Sequence, residues 1–130
     1  MDTTPISDAE AMVMEVLWTS SPRSAEDVIA ALAPDTGWAE PTIKTLLNRL
    51  LNKGAVSALK DGRRYLYSPV LRRESWVQAQ SEGLLSRLFG GRVAPLVAHF
   101  SERGQLSAAD IAELKRLVSE LDDGETGHGR

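Results

Sequence analysis

Glu40 to Gly54 reads EPTIKTLLNRLLNKG, and the spacing of its apolar residues decides how the rest of the chain folds. Ile43, Leu46, Leu47, Leu50 and Leu51 recur at steps of three and four, which gathers them on one side of a helix. Pro41 suits the first turn, where a missing N–H costs no hydrogen bond. Gly54 closes the far end, and Lys53 stands in the last turn against the negative pole of the helix dipole. The other side carries Lys44, Thr45, Asn48, Arg49 and Asn52, with Thr42 at its edge. It presents cationic and amide groups and no acid, the groups that pair with phosphates and base edges. Most amphipathic helices have a polar face that is merely solvated, so the neighbouring sequence has to decide what this one is for.

Two short strand-like runs follow, Ala55 to Lys60 (AVSALK) and Arg64 to Ser68 (RYLYS), joined at Asp61-Gly62. Asp-Gly is a strong hairpin signal because a tight turn needs central residues that tolerate positive φ. Lys60, Arg63 and Arg64 stand beside the tip. A helix with one core face and one cationic face, followed by a basic hairpin, is the layout of a winged helix. There the helix enters the major groove and the wing meets the flanking backbone.

Charge supports that expectation once it is located. The chain has a net charge of −3 over 130 residues, yet Pro41 to Arg64 holds six cations against Asp61 alone, a local +5. The remainder therefore carries −8, an acidic body around one basic segment. A protein-interaction module without specific DNA binding is the alternative, but it offers no reason for six cations to cluster against one acid. With no cysteine, disulfides, thiol chemistry and thiolate zinc sites are excluded. His99 and His128 are far apart, no phosphate-binding glycine loop or nucleophile elbow occurs, and no metal, cofactor or enzymatic activity is expected. The polar start and the lack of a long apolar run predict a cytoplasmic protein without a membrane span.

Upstream, Ser7 with Glu10 and Ser24 with Asp27 have the spacing of helix N-terminal capping boxes. They open two helices whose inward groups are Ala9, Val13, Val16 and Leu17, then Val28, Ile29 and Leu32. The second helix is expected to end across Ala33–Gly37, with Trp38 packed at the junction. A short strand near Pro22 or Arg23 pairing with the hairpin would leave little trace in the sequence. The prediction for 1–70 is thus three helices and a two-stranded wing. Past Pro69 the pattern is helical: Ser75–Phe89, Arg92–Phe100, and a helix capped by Ser107 and Asp110. A polar, glycine-rich tail is expected at 123–130. The segment 71–122 carries Leu84, Leu88, Leu96, Phe100, Ile111, Leu114, Leu117, Val118 and Leu121, more apolar surface than about fifty residues can bury alone. Pairing with a second copy covers it, and gives a small DNA reader its second half-site. The fold class is mainly α: a winged helix-turn-helix followed by an α-helical dimerisation region.

Four segments also carry a resemblance. ISDAEAMVMEVLW (6–18), TIKTLLNRLLNKG (42–54), GRRYLYSPV (62–70) and LVAHF with LSAADIAELKRLVSEL (96–100, 106–121) resemble the penicillinase-repressor family of bacterial winged-helix regulators. That family controls β-lactamase and methicillin-resistance operons and has copper-responsive relatives. The resemblance implies a homodimeric repressor on a palindromic operator in double-stranded DNA, with Thr42, Lys44 and Thr45 meeting the major groove. Facing and charge add Asn48, Arg49, Lys53, Lys60, Arg63 and Arg64. It also implies a protease partner from a membrane sensor pathway, cutting at the bond that corresponds to His99–Phe100, where family members tend to have Asn in place of His99. Copper sensing through the relatives' cysteine cluster is excluded, since this chain has no cysteine.

Overall fold

In the computed structural model the backbone is described for residues 4–128 and the side chains for residues 4–123. The chain forms two compact units that divide between Ser81 and Glu82. In the first, α1 (Asp8–Thr19), α2 (Ala25–Thr36) and α3 (Glu40–Asn52) pack with a three-stranded antiparallel sheet. Its strands are β1 (Arg23–Ser24), β2 (Val56–Asp61) and β3 (Arg64–Pro69), in the order β1-β3-β2. The expected hairpin is present, and Arg23 and Ser24 add a third strand by pairing with Tyr67 and Leu66.

Both upstream capping boxes form. Ser7 Oγ accepts from the Glu10 N–H at 3.1 Å while the Ser7 N–H donates to Glu10 Oε1 at 2.8 Å. Ser24 and Asp27 make the same exchange at 3.2 and 3.1 Å. Pro34 does not end α2: it withholds one donor, and the helix runs on to Thr36 before Gly37 closes it with φ of 73°. The core joins Val13, Met14 and Leu17 of α1 to Val28 and Leu32 of α2 and to Ile43, Leu46, Leu47 and Leu50 of α3. Each fully buried aliphatic side chain contributes about 1.5–3 kcal/mol, which is what holds three short helices that would not persist alone. Leu51, expected inside, is 37% exposed because it sits about 80° round the helix from Ile43, at the margin of the stripe. Ala9, Val16 and Ile29 are half-buried at the edge of this core, as is Trp38.

The hairpin turn is one residue later than the sequence suggests. Asp61 pairs with Arg64, so the two loop residues are Gly62 and Arg63 rather than Asp61 and Gly62. Gly62 has φ of 66° and Arg63 does not take positive φ, the pattern of a II′ rather than a I′ turn, which needs glycine only at its first central position.

The first unit runs past the expected boundary at residue 70. Leu71 is buried in its core, and the Leu71 carbonyl accepts from Trp18 Nε1 at 2.8 Å. Trp76 lies 5.5 Å from Trp18, ring centre to ring centre, and Arg73 pairs with Glu15 at 2.9 Å. These contacts fold the start of α4 (Arg73–Phe89) into the first unit. The second unit contains α5 (Val93–Glu102) and α6 (Ala108–His128), the latter capped by Ser107 and Asp110 as expected. The backbone of α6 continues to His128, so most of the segment expected as a tail is helical. An interior glycine weakens a helix by about 1 kcal/mol without forbidding it. Side chains from Gly124 onward, and all of Gly129 and Arg130, lie outside the described residues.

Candidate nucleic-acid interface

Residues 42–50 of α3 divide cleanly by exposure. Ile43, Leu46, Leu47 and Leu50 are buried, while Thr42, Lys44, Thr45, Asn48 and Arg49 are all exposed. The core grips the apolar stripe and fixes the azimuth of the polar one. β2 and β3 then hold the wing beside it, and between the two lies a cleft of about 490 Å³. Lys44, Thr45 and Asn48 line it from α3, Arg63 and Arg64 from the wing, and Ala25 and Glu26 from the start of α2.

Five of the nine residues singled out from sequence therefore converge on this cleft. Thr42, Arg49 and Lys60 are exposed but line its surroundings rather than its walls. Lys53 goes elsewhere. Its ammonium donates to Glu10 Oε1 at 2.6 Å and to the Pro5 carbonyl at 3.1 Å, tying the end of α3 to the start of α1. Glu10 is only 2% exposed, so this contact is part of the fold. Burial pushes the Glu10 carboxyl up, but the hydrogen bonds from Lys53 and Ser7 outweigh it and hold the group below its ordinary value.

Sequence reasoning passed over Tyr65 and Tyr67, which also line the cleft. They sit two apart in β3, hence on one face of the hairpin, and Tyr65 is half exposed. That alternation was the available signal. Glu26 was missed as well, since an acid in the first turn of a helix reads as a dipole partner.

The cations differ in how they are employed. Lys44, Arg49, Lys60 and Arg63 have no carboxylate partner among the described residues, whereas Lys53 and Arg73 are bound to Glu10 and Glu15. Arg64 meets Asp61 at 3.5 Å, but both side chains are more than half exposed and such a pair is weak. Asp27 is held below its ordinary value by the backbone N–H and hydroxyl of Ser24, with Arg23 and Arg64 adding to the effect. Four cations without a carboxylate partner among the described residues thus lie on the exposed face of α3 and the wing.

A helix presented on a three-helix core, with a basic hairpin at its side, defines a winged-helix DNA-binding protein. Residues 6–120 match the penicillinase repressor family, and the chain belongs to it. It is 36% identical over 115 residues to the penicillinase repressor of Bacillus licheniformis, covering 88% of this chain and 90% of that one. The methicillin resistance regulatory protein MecI of Staphylococcus aureus is 29% identical over 114 residues, covering 88% and 93%. Among solved structures, the monomeric form of Bacillus licheniformis BlaI in complex with the blaP half-operator is similar with a TM-score of 0.52. It is 39% identical over 58% of this chain and 94% of its own. The family is one of transcriptional repressors rather than enzymes, and no described helix is long and apolar enough to cross a membrane.

The residues expected at a dimer interface lie in the second unit or lead into it. α4 and α5 have no buried residue, and Leu88, Phe100, Ile111, Leu117, Val118 and Leu121 are exposed, Leu121 by 68%. Leu84 is at the same margin, and Leu96 and Leu114 are half-covered. His99 and Phe100 lie within α5, their rings 5.3 Å apart, with Phe89 6.2 Å from His99.

Proposed function

We propose that this protein is a sequence-specific transcriptional repressor that binds a palindromic operator as a homodimer in the cytoplasm. The observation that carries the reading is the cleft between α3 and the wing, where Lys44, Arg63 and Arg64 meet Thr45 and Asn48 with little internal pairing. Lys44, Thr45 and Asn48 read base edges, Thr42 and Arg49 extend the contact along the groove, and Lys60, Arg63 and Arg64 hold phosphates. A relative solved on a half-operator supports one winged helix per half-site. Two copies then span half-sites about 34–36 Å apart.

The dimer reading is supported by the second unit itself. Among its described residues none is buried in the single chain, although leucines, valines and a phenylalanine recur along α5 and α6. Helices that bury nothing have no reason to hold their packing. A second copy laid against Leu96, Phe100, Ile111, Leu114, Leu117, Val118 and Leu121 supplies the missing core. Relief of repression by a protease acting at His99–Phe100 is a further part of this reading. It requires α5 to unwind locally, because a helical bond does not fit a protease cleft that takes extended chain.

The test is binding of the purified protein to its own promoter duplex and to a scrambled one at two salt concentrations. Preference for the promoter that survives the higher salt is expected. Lys44→Ala, whose side chain is exposed, is expected to keep the fold and weaken promoter binding at least about fivefold, the low end for a lost base contact. Equal binding to both duplexes overturns sequence-specific repression, and no binding at all would favour a protein-interaction role.

A further inference from the structure

One wall of the DNA-facing cleft is of the wrong sign for DNA. Glu26, the second residue of α2, lines the same cleft as Lys44, Arg63 and Arg64. It is exposed, and its carboxylate has no hydrogen-bond or ion-pair partner among the described residues. Its neighbour Asp27 is different: that carboxylate is occupied by the Ser24 N–H and closes the capping box. The helix therefore needs Asp27 for its start and has no comparable need of Glu26. A free carboxylate beside five groups suited to phosphates and bases weakens every encounter in which a phosphate approaches it.

The geometry points to Glu26 as a specificity-determining residue, a charge that penalises phosphate in the cleft and so suppresses binding to non-operator DNA. The inference rests on the reading of this cleft as the DNA interface. Non-specific binding is almost wholly attraction to phosphates, and it samples every register of the duplex. Operator binding also draws on base contacts in one fixed register, in which the backbone can pass Glu26 at a distance. The same charge therefore takes more from non-specific than from specific affinity. One unit charge about 4–7 Å from a phosphate in water changes binding on the order of threefold to fivefold. Against the large excess of non-operator sequence in a genome, a factor of that size in the specificity ratio changes operator occupancy directly.

The experiment compares the full-length protein with Glu26→Gln, Lys44→Ala and, as a control for net charge, Glu74→Gln, an exposed residue outside the cleft. The probes are a duplex selected from a random library by the wild-type protein and the same duplex scrambled, each titrated at several salt concentrations. Glu26→Gln is expected to bind the scrambled duplex about threefold to fivefold more tightly with a steeper salt dependence. Operator affinity should change less, so the specificity ratio falls, while Glu74→Gln leaves it unchanged. If Lys44→Ala loses operator binding but Glu26→Gln leaves the ratio at the wild-type value, the filter is refuted and the interface stands. If neither Lys44→Ala nor Glu26→Gln alters binding, the cleft is not the interface and both readings fall. A ratio lowered equally by Glu74→Gln would make the effect one of net charge and overturn the assignment to Glu26.

Discussion

Replacing Lys53 by methionine separates a residue that holds the fold from one that holds DNA. The side chain stands at the end of α3, and its charge alone places it among the DNA contacts. Its ammonium instead lies 2.6 Å from Glu10 Oε1. Removing one partner of a fully buried pair costs about 3–5 kcal/mol, and an exposed pair is worth about 0–1 kcal/mol. Here Glu10 is 2% exposed and Lys53 36%, and Glu10 keeps the hydrogen bond from the Ser7 N–H. About 2 kcal/mol is therefore expected for Lys53→Met, which for a chain of this size lowers the melting temperature by roughly 6–10 °C. The pH dependence follows from the same carboxylate. Its folded pKa lies below the ordinary 4.5, so in the wild type its contribution is present above that value and lost as pH falls through the folded pKa. In the variant, burial is opposed only by the hydrogen bonds with Ser7, so the folded pKa lies higher than in the wild type. The gap between the two proteins should accordingly narrow as pH falls from about 6 towards 3. Thermal melts across that range measure it, with salt titrations of DNA binding alongside. An unchanged melting temperature with a salt slope lowered by about one would refute this account and return Lys53 to the DNA.

The wing and the second unit make their own demands. Arg63→Ala should weaken binding to all duplexes alike and lower the salt slope by about one, and Arg64→Ala should do less because Asp61 already occupies part of its charge. An unchanged slope for Arg63→Ala would take the wing off the backbone. Leu117→Asp and Leu121→Asp place a charge on exposed apolar positions of α6, so each should sediment as a folded monomer and bind a full operator about a hundredfold more weakly. Monomers that bind it at full strength would contradict the dimer.

What could be read from the residues was whatever depends on neighbours within a turn or a hairpin. The stripe of Ile43, Leu46, Leu47 and Leu50, the boxes at Ser7 and Ser24, and the hairpin around Gly62 are all local patterns. The one-residue shift of the turn shows where locality ends. Asp-Gly suits two kinds of turn, and the pairing of Asp61 with Arg64 chooses between them. Glu10 illustrates the same limit: its capping role was visible, its burial was not, because Lys53 reaches it from 43 residues away. Leu71 and Trp76 look like the start of a new domain until Trp18 is seen to hydrogen-bond the Leu71 carbonyl. The cleft residues Glu26 and Tyr65 escaped because nothing in one segment announces which wall of another it will face.

On the reading proposed above, a division of labour between the units would let the repressor be released from DNA without any change at α3. Lys44, Arg49, Lys60 and Arg63, the four cations of α3 and the wing without a carboxylate partner among the described residues, would by themselves give modest, salt-sensitive affinity for a half-site. Joining two copies turns the second contact into an intramolecular one, and such linkage raises affinity by about 10² to 10⁴ without adding any new contact to DNA. On the dimer reading proposed above, nearly all useful occupancy depends on α5 and α6, in which no described residue is buried in the single chain. A face that gains its core only from a partner is stable in proportion to protomer concentration and is the first part to open. If two copies pair through α5 and α6 as proposed, any event that unwinds α5 around His99 and Phe100 would separate them and return each winged helix to half-site affinity. The first unit, with its own closed core from Val13 to Leu71, would remain folded and nearly inactive.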